Sequence, residues 1–214
     1  MDYRGYLVDV FGTLIEDDES RVLAACKHIS EMSEMSLEAV VEDWENRIWA
    51  AAEEAHGPRF RSLAELTVRS VAETAAHFGV RMDARAVWAQ GRTARAFEDG
   101  LRFLETVDAP VCLVSDVDRG DLERVLLHHR IVVEGVVTSE DARAYKPRPE
   151  PFLMALNKLG MDPGDVLHVG DSVDADLAGA TALEIDTAFV DRRGRGLPAG
   201  VTATYVVRSL DELA

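Results

Sequence analysis

The sequence predicts an α/β protein: a parallel sheet with helices on both faces, and an all-helical body inserted into it. Three observations predict this. Short apolar runs at residues 6–8, 111–114, 165–169 and 187–190 have the near-continuous hydrophobicity of strands buried on both faces. From residue 99 onward such runs alternate with helical patterns, which implies crossover connections and a parallel sheet. Residues 16–98 show helical periodicity without a strand pattern, so they form a separate body grown from the loop after the first strand. The expected division is residues 1–15 with 99–214 as the α/β core domain, and 16–98 as a helical domain.

Taken in order, residues 6–8 form the first strand and end in Asp9-Val10-Phe11-Gly12-Thr13. Val22, Leu23, Cys26, Ile29 and Met32 recur at helical spacing over residues 19–33. Ser36 caps a second helix bearing Val40, Trp44, Ile48 and Trp49, and Gly57-Pro58 breaks it. Ser62 and Glu65 form a capping box opening a third helix through His77. Asp83 caps a fourth, carrying Val87 and Trp88. The three tryptophans are expected in the core of this helical body. Beyond it follow a helix at 100–107, a strand at 111–114, a helix at 119–129, a strand at 131–138 and a helix at 149–159 with proline in its first turn. A strand at 165–169, a helix at 173–182, strands at 187–190 and 204–207 and a capping box at 209–212 complete the chain.

Composition narrows the function. A net charge of −16 excludes nucleic acid as a general partner, because phosphate backbones are gripped by clustered Lys and Arg. No apolar run approaches the roughly 20 residues of a membrane helix, and the first strand begins too near Met1 to leave room for a signal peptide. A cytoplasmic location without membrane contact is expected. Cys26 and Cys112 fall in apolar patterns and read as buried reduced thiols, and the six histidines lack the spacing of zinc ligands.

Four segments carry the chemistry. Asp9 stands at the carboxyl end of an apolar strand, where ligands collect in open α/β sheets, although Asp-x-x-Gly-Thr alone is equally a strand exit. Val111 to Val114 is a second such strand, delivering Ser115 and Asp116; on their own these two residues read as a helix cap. Lys146-Pro147 sets an ammonium on a stiffened turn. Gly170-Asp171-Ser172-Val173-Asp174-Ala175-Asp176 brings two further carboxylates toward Asp9. Crowded carboxylates raise one another's pKa unless a cation compensates, so the cluster calls for a hard divalent ion, Mg2+ above others.

In order and spacing these segments resemble the four motifs of the haloacid dehalogenase-like hydrolase superfamily, and the helical insert falls where that family's helical cap lies. The resemblance implies a Rossmann-like core and a covalent aspartyl intermediate. Asp9 would be the nucleophile, with Ser115 and Lys146 holding the transferred phosphoryl group. Thr13, which would also support the first loop, would lie against the substrate together with Gly12 and Asp116. The metal would be bound by Asp9, the Phe11 carbonyl and Asp171, with Asp174 or Asp176 in or just behind its coordination sphere. The expected activity is hydrolysis of a small anionic, phosphorylated metabolite.

One position departs from the family's phosphatases, which carry a second aspartate two residues after the nucleophile as general acid and base. Here that residue is Phe11. A missing proton donor typically costs about 10²–10⁴ in rate, which restricts a phosphatase to esters with good leaving groups unless another acid substitutes. An aromatic at this position resembles the 2-haloacid dehalogenases, which need neither acid nor metal, and in which a cap arginine receives the halide; Arg47 is the candidate here. Those enzymes lack the Gly-Asp-Ser cluster, so a Mg2+-dependent phosphatase is preferred, with a metal-free C–X hydrolase as the alternative and a non-catalytic binding protein behind it.

Overall fold

The computed structural model describes residues 3–17, 20–87 and 94–213. The chain divides into two compact units, Met1–Asp17 with Thr93–Ala214, and Asp18–Arg92. The joins differ from the expected 15/16 and 98/99 because the two connecting segments pair with each other inside the α/β unit. Glu16 N–H donates to the Arg95 carbonyl at 2.8 Å, Phe97 N–H donates to the Leu14 carbonyl at 2.9 Å, and Ile15 bridges Ala96.

The α/β unit is built on six strands: β1 (Gly5–Val8), β2 (Val111–Ser115), β3 (Gly135–Thr138), β4 (Val166–Gly170), β5 (Asp186–Val190) and β6 (Tyr205–Val207). They lie in the order β3-β2-β1-β4-β5-β6, every pair parallel. β1 is central, and Leu7 sits level with Cys112 on one side and His168 on the other. Parallel pairing needs crossovers, supplied by α4 (Glu98–Thr106), α5 (Arg119–His129), the short α6 (Ser139–Ala142), α7 (Pro149–Leu159) and α8 (Ala178–Thr181).

Alternation along the strands sends side chains into two cores. Tyr6, Val8, Leu113, Leu167 and Val169 pack with Phe103 of α4 on one face. Leu7, Cys112, Val114 and Val166 pack with Phe152 of α7 on the other. Phe103 and Phe152 are fully enclosed, and truncating either to alanine is expected to cost about 3–5 kcal/mol. Cys112 and Cys26 are buried free thiols.

Two elements correct the sequence reading. The strand expected at 131–138 begins only at Gly135: Val132 is 90% exposed, and the Glu134 carboxylate accepts the Val111 N–H at 2.8 Å ahead of the ladder. The single helix expected at 173–182 opens as a π-helical turn, Val173–Leu177, before α8.

The helical unit holds α1 (Ser20–Ser33), α2 (Leu37–Glu54) and α3 (Leu63–His77). Ser36 caps α2 by accepting the Ala39 N–H, and Ser62 with Glu65 closes a reciprocal capping box on α3. Cys26, Ile29, Val40 and Ala75 form part of its core, and Trp44 packs against it. Trp49 does not join that core: it is 61% exposed, because Ile48 takes the inward position and the next residue lies about 100° round the helix. The fourth helix is a single 3₁₀ turn, Ala84–Val87, where Asp83 accepts the Arg85 N–H; Trp88 lies outside the described residues. No helix among the described residues is long and apolar enough to cross a membrane.

Candidate active site

The carboxyl ends of β1, β2 and β4 and the turn before α7 deliver the polar groups. Asp9 continues β1 by one residue, its N–H donating to the Val169 carbonyl at 2.9 Å. The chain then folds back on itself: the Val10 carbonyl accepts the N–H groups of Leu14 and Ile15, each at 2.8 Å. Gly12 adopts φ +90°, and a Cβ there would collide with the Asp171 carboxylate, so both conformation and space demand glycine. Thr13 Oγ1 donates to Asp171 Oδ1 at 3.3 Å. The nucleophile loop and the β4 tip are thereby joined.

Ser115, at the end of β2, is buried, and its Oγ accepts the Val117 N–H at 3.4 Å. Asp116 follows Ser115 directly and is partly buried. Its Oδ1 accepts the Lys146 backbone N–H at 2.9 Å, which anchors the Lys146-Pro147 turn, and the Lys146–Pro147 bond is cis. The Lys146 ammonium is buried and donates to Asp9 Oδ1 and Asp176 Oδ1, both at 2.6 Å.

The π-helical turn explains how the fourth segment aims its acids. Ser172 Oγ accepts the Ala175 N–H at 3.1 Å, and the widened turn buries Asp176 while leaving Asp174 exposed. Asp176 Oδ1 also contacts His168 Nε2 at 3.1 Å, and Oδ2 accepts the Ser172 N–H at 3.1 Å. Gly170 has no room for a Cβ beside that carboxylate.

One oxygen from each of Asp9, Asp171 and Asp176 lies within 4.8 Å of the others, spacing that could hold a metal ion. Asp9 Oδ2 is buried without a hydrogen-bond partner. The Lys146 ammonium thus bonds two carboxylates, Asp9 and Asp176, and its charge also acts on Asp171 and Asp116. Burial raises the Asp9 carboxyl well above its ordinary range; Lys146 opposes this and the neighbouring acids add to it. Burial, then the Asp176 charge, push Asp171 up to about 6, and burial puts Asp116 at about 6. Burial works against an ionised Asp176 too, yet Lys146 and His168 hold its carboxyl well below the usual range. Burial would lower the Lys146 ammonium, but Asp176 and Asp9 raise it well above normal. A partnerless oxygen and a surplus of acid at one point fit a hard divalent cation.

The family described as haloacid dehalogenase-like hydrolase matches residues 3–183. The chain belongs to that family. This haloacid dehalogenase-like hydrolase is 37% identical over 79 residues to haloacid dehalogenase-like hydrolase domain-containing protein 3 of Danio rerio, covering 36% of this chain and 33% of the relative. It is 36% identical over 74 residues to the glyceraldehyde 3-phosphate phosphatase of Methanopyrus kandleri, covering 35% and 30%. The chain thus spans about a third of the length of these curated relatives. In fold it resembles an L-2-haloacid dehalogenase crystal structure, with TM-score 0.80 and 18% identity over 100% of this chain and 97% of the other.

Phe11 offers no acid: its ring packs against the core face that holds Tyr6 and Phe103. Arg47 lies in the helical unit, where Nε and Nη2 take both oxygens of Asp43 at 2.6 and 3.0 Å. Sequence reasoning passed over His168, Arg192 and Asp99. A histidine inside the apolar run 166–169 was the available signal for the first. Arg192 and Asp99 stand at element ends, where charged side chains read as solvated.

Proposed function

We propose that this hydrolase is a Mg2+-dependent phosphatase acting on small phosphorylated metabolites through a phosphoaspartyl intermediate on Asp9. The observation that carries the reading is the convergence of Asp9, Asp171 and Asp176 around an Asp9 oxygen with no partner of its own. The relative named as a glyceraldehyde 3-phosphate phosphatase agrees with it.

In this reading the Asp9 carboxylate attacks phosphorus, and the bond from phosphorus to the leaving oxygen breaks. The Ser115 hydroxyl and Lys146 ammonium hold the non-bridging oxygens. Water then attacks phosphorus, releasing phosphate and restoring the carboxylate. Asp9, Asp171, Asp176 and the Phe11 carbonyl would hold Mg2+, which when bound supplies neutralisation of the acidic cluster and of the phosphoryl charge. Thr13 and Asp116 act one step back, the first on Asp171 and the second on the Lys146 turn.

With an aromatic ring at position 11, the leaving group must depart without a donor from that position. Acyl, aryl and anomeric phosphates meet that requirement. Phe11 also favours a second reading, a metal-free 2-haloacid dehalogenase. Turnover of p-nitrophenyl phosphate, acyl phosphates and sugar phosphates, with Mg2+ and with EDTA, run beside halide release from 2-haloacids, separates the two. Phosphate release abolished by EDTA is expected; halide release indifferent to EDTA would replace the phosphatase reading.

A further inference from the structure

The loop that carries Asp9 has one carbonyl held by a side chain from a distant segment. Val10, Ile15 and Leu14 carbonyls all accept backbone N–H groups, from Leu14 and Ile15, from Gly12, and from Phe97 respectively. The carbonyl of Thr13, a fully buried residue, instead accepts Arg192 Nη2 at 2.5 Å, from the segment just beyond β5.

Arg192 does not use the fork by which several arginines of this chain hold a carboxylate. Arg47 with Asp43, Arg102 with Asp211 and Arg119 with Asp141 each present Nε and Nη2 to the two carboxylate oxygens, the ordinary fork. Arg192 meets both oxygens of Asp99 with Nη1 alone, at 3.2 and 3.0 Å. Its Nε is buried with no acceptor, and its guanidinium lies over the Phe97 ring, 3.8 Å from the centroid. Asp99 is fixed independently by Ser209 Oγ at 3.0 Å and Leu210 N–H at 2.8 Å. The fork on Asp99 would also have given the buried Nε an acceptor. The observed arrangement gives up that geometry, and what it gains is the bond to Thr13.

We infer that Arg192 is a positioning residue of the nucleophile loop. It pins the Thr13 carbonyl, so that the Gly12-Thr13 turn keeps Thr13 Oγ1 on Asp171 and Asp9 in line with Lys146. The inference rests on Asp9 as nucleophile and not on which leaving group departs. Small displacements of reacting groups have large effects on rate, so a loosened turn is felt in turnover more than in folding.

The test compares Arg192→Lys, Arg192→Met and, as control, Arg102→Lys. Lysine keeps the charge beside Asp99 but has one nitrogen where the guanidinium holds Asp99 and the Thr13 carbonyl with two, on a flexible stem without the planar geometry. Each variant is assayed for unfolding midpoint, for Mg2+ affinity by calorimetry, and for kcat and KM on the best substrate of the unaltered protein. The expected result for Arg192→Lys is a midpoint within about 4 °C, with Mg2+ affinity and kcat each reduced about 10- to 100-fold. Arg102→Lys changes neither. Wild-type affinity and kcat in Arg192→Lys would overturn the inference. So would losses, in either Arg192 variant, no larger than the fraction unfolded at the assay temperature. If the unaltered protein binds no Mg2+, the phosphatase reading falls by itself, and Arg192 is judged on kcat for halide release.

Discussion

The helical unit and the carboxyl edge of the sheet both bury polar side chains, and they treat them in opposite ways. In the helical unit most of these groups close on one another: Trp44 Nε1 donates to Ser70 Oγ at 3.0 Å, Ser70 Oγ donates to the Thr67 carbonyl at 3.1 Å, and Arg47 uses its full fork on Asp43, leaving the neutral Thr74 hydroxyl buried without a partner. At the sheet edge Asp9 and Asp176 share the Lys146 ammonium, Asp171 crowds against both, and Asp9 Oδ2 has no partner. Closure of the first kind stabilises a scaffold. Surplus charge of the second kind opposes folding, and it persists where a ligand or a reaction uses it.

Substitutions on the two sides should differ accordingly. The largest effect is expected at Asp9: Asp9→Asn should lower kcat by at least about 10⁴-fold on any substrate that is turned over, while the unfolding midpoint holds. Activity surviving in that variant would remove Asp9 from the chemistry. Next, Asp171→Asn should weaken Mg2+ binding and phosphate release by more than about 100-fold, measured by calorimetry and steady-state kinetics. An unaltered rate would mean that the acidic cluster serves no metal.

Asp116 gives an effect of the opposite sign. Burial pushes its folded pKa up to about 6 from an ordinary value of 3.8, so between those values the fold holds a proton that the unfolded chain has released. Its contribution to stability therefore falls as pH rises through that window, by about 3 kcal/mol in all. Asp116→Asn is expected to raise the unfolding midpoint at pH 7.5 and to leave it unchanged near pH 4. A lowered midpoint at pH 7.5 would show that the Asp116 charge is stabilising. The smallest effect belongs to the helical unit. Arg47→Ala removes an (i, i+4) pair and should lower stability by about 0.3–0.5 kcal/mol without changing kcat/KM. A tenfold loss of turnover would instead make Arg47 a substrate ligand.

Most of the architecture was legible because its signals are local. Ser62 with Glu65, and Pro149 opening α7, mark helix starts by short-range hydrogen bonding and fixed φ. The run of residues 111–115 reads as a strand because every side chain in it is buried. The errors arose where tertiary context decides. Residues 131–133 are β-branched, yet they lie beyond the reach of β2, so propensity misplaced the start of β3. The spacing of Asp171, Asp174 and Asp176 named the acids but not the π-helical turn that selects Asp176 over Asp174. Thr13 and Arg192 are 179 residues apart, and no periodicity links a backbone carbonyl to a distant guanidinium.

The chemistry at Asp9 can be read from where water attacks. With enzyme in excess over substrate, one turnover is run in water enriched in heavy oxygen, and the released product and the peptide containing Asp9 are weighed by mass spectrometry. A phosphoaspartate is opened at phosphorus, so the expected result is heavy oxygen in the released phosphate and none in Asp9. Heavy oxygen in the Asp9 carboxylate would mean an alkyl ester opened at its acyl carbon, and would contradict phosphoryl transfer at this site.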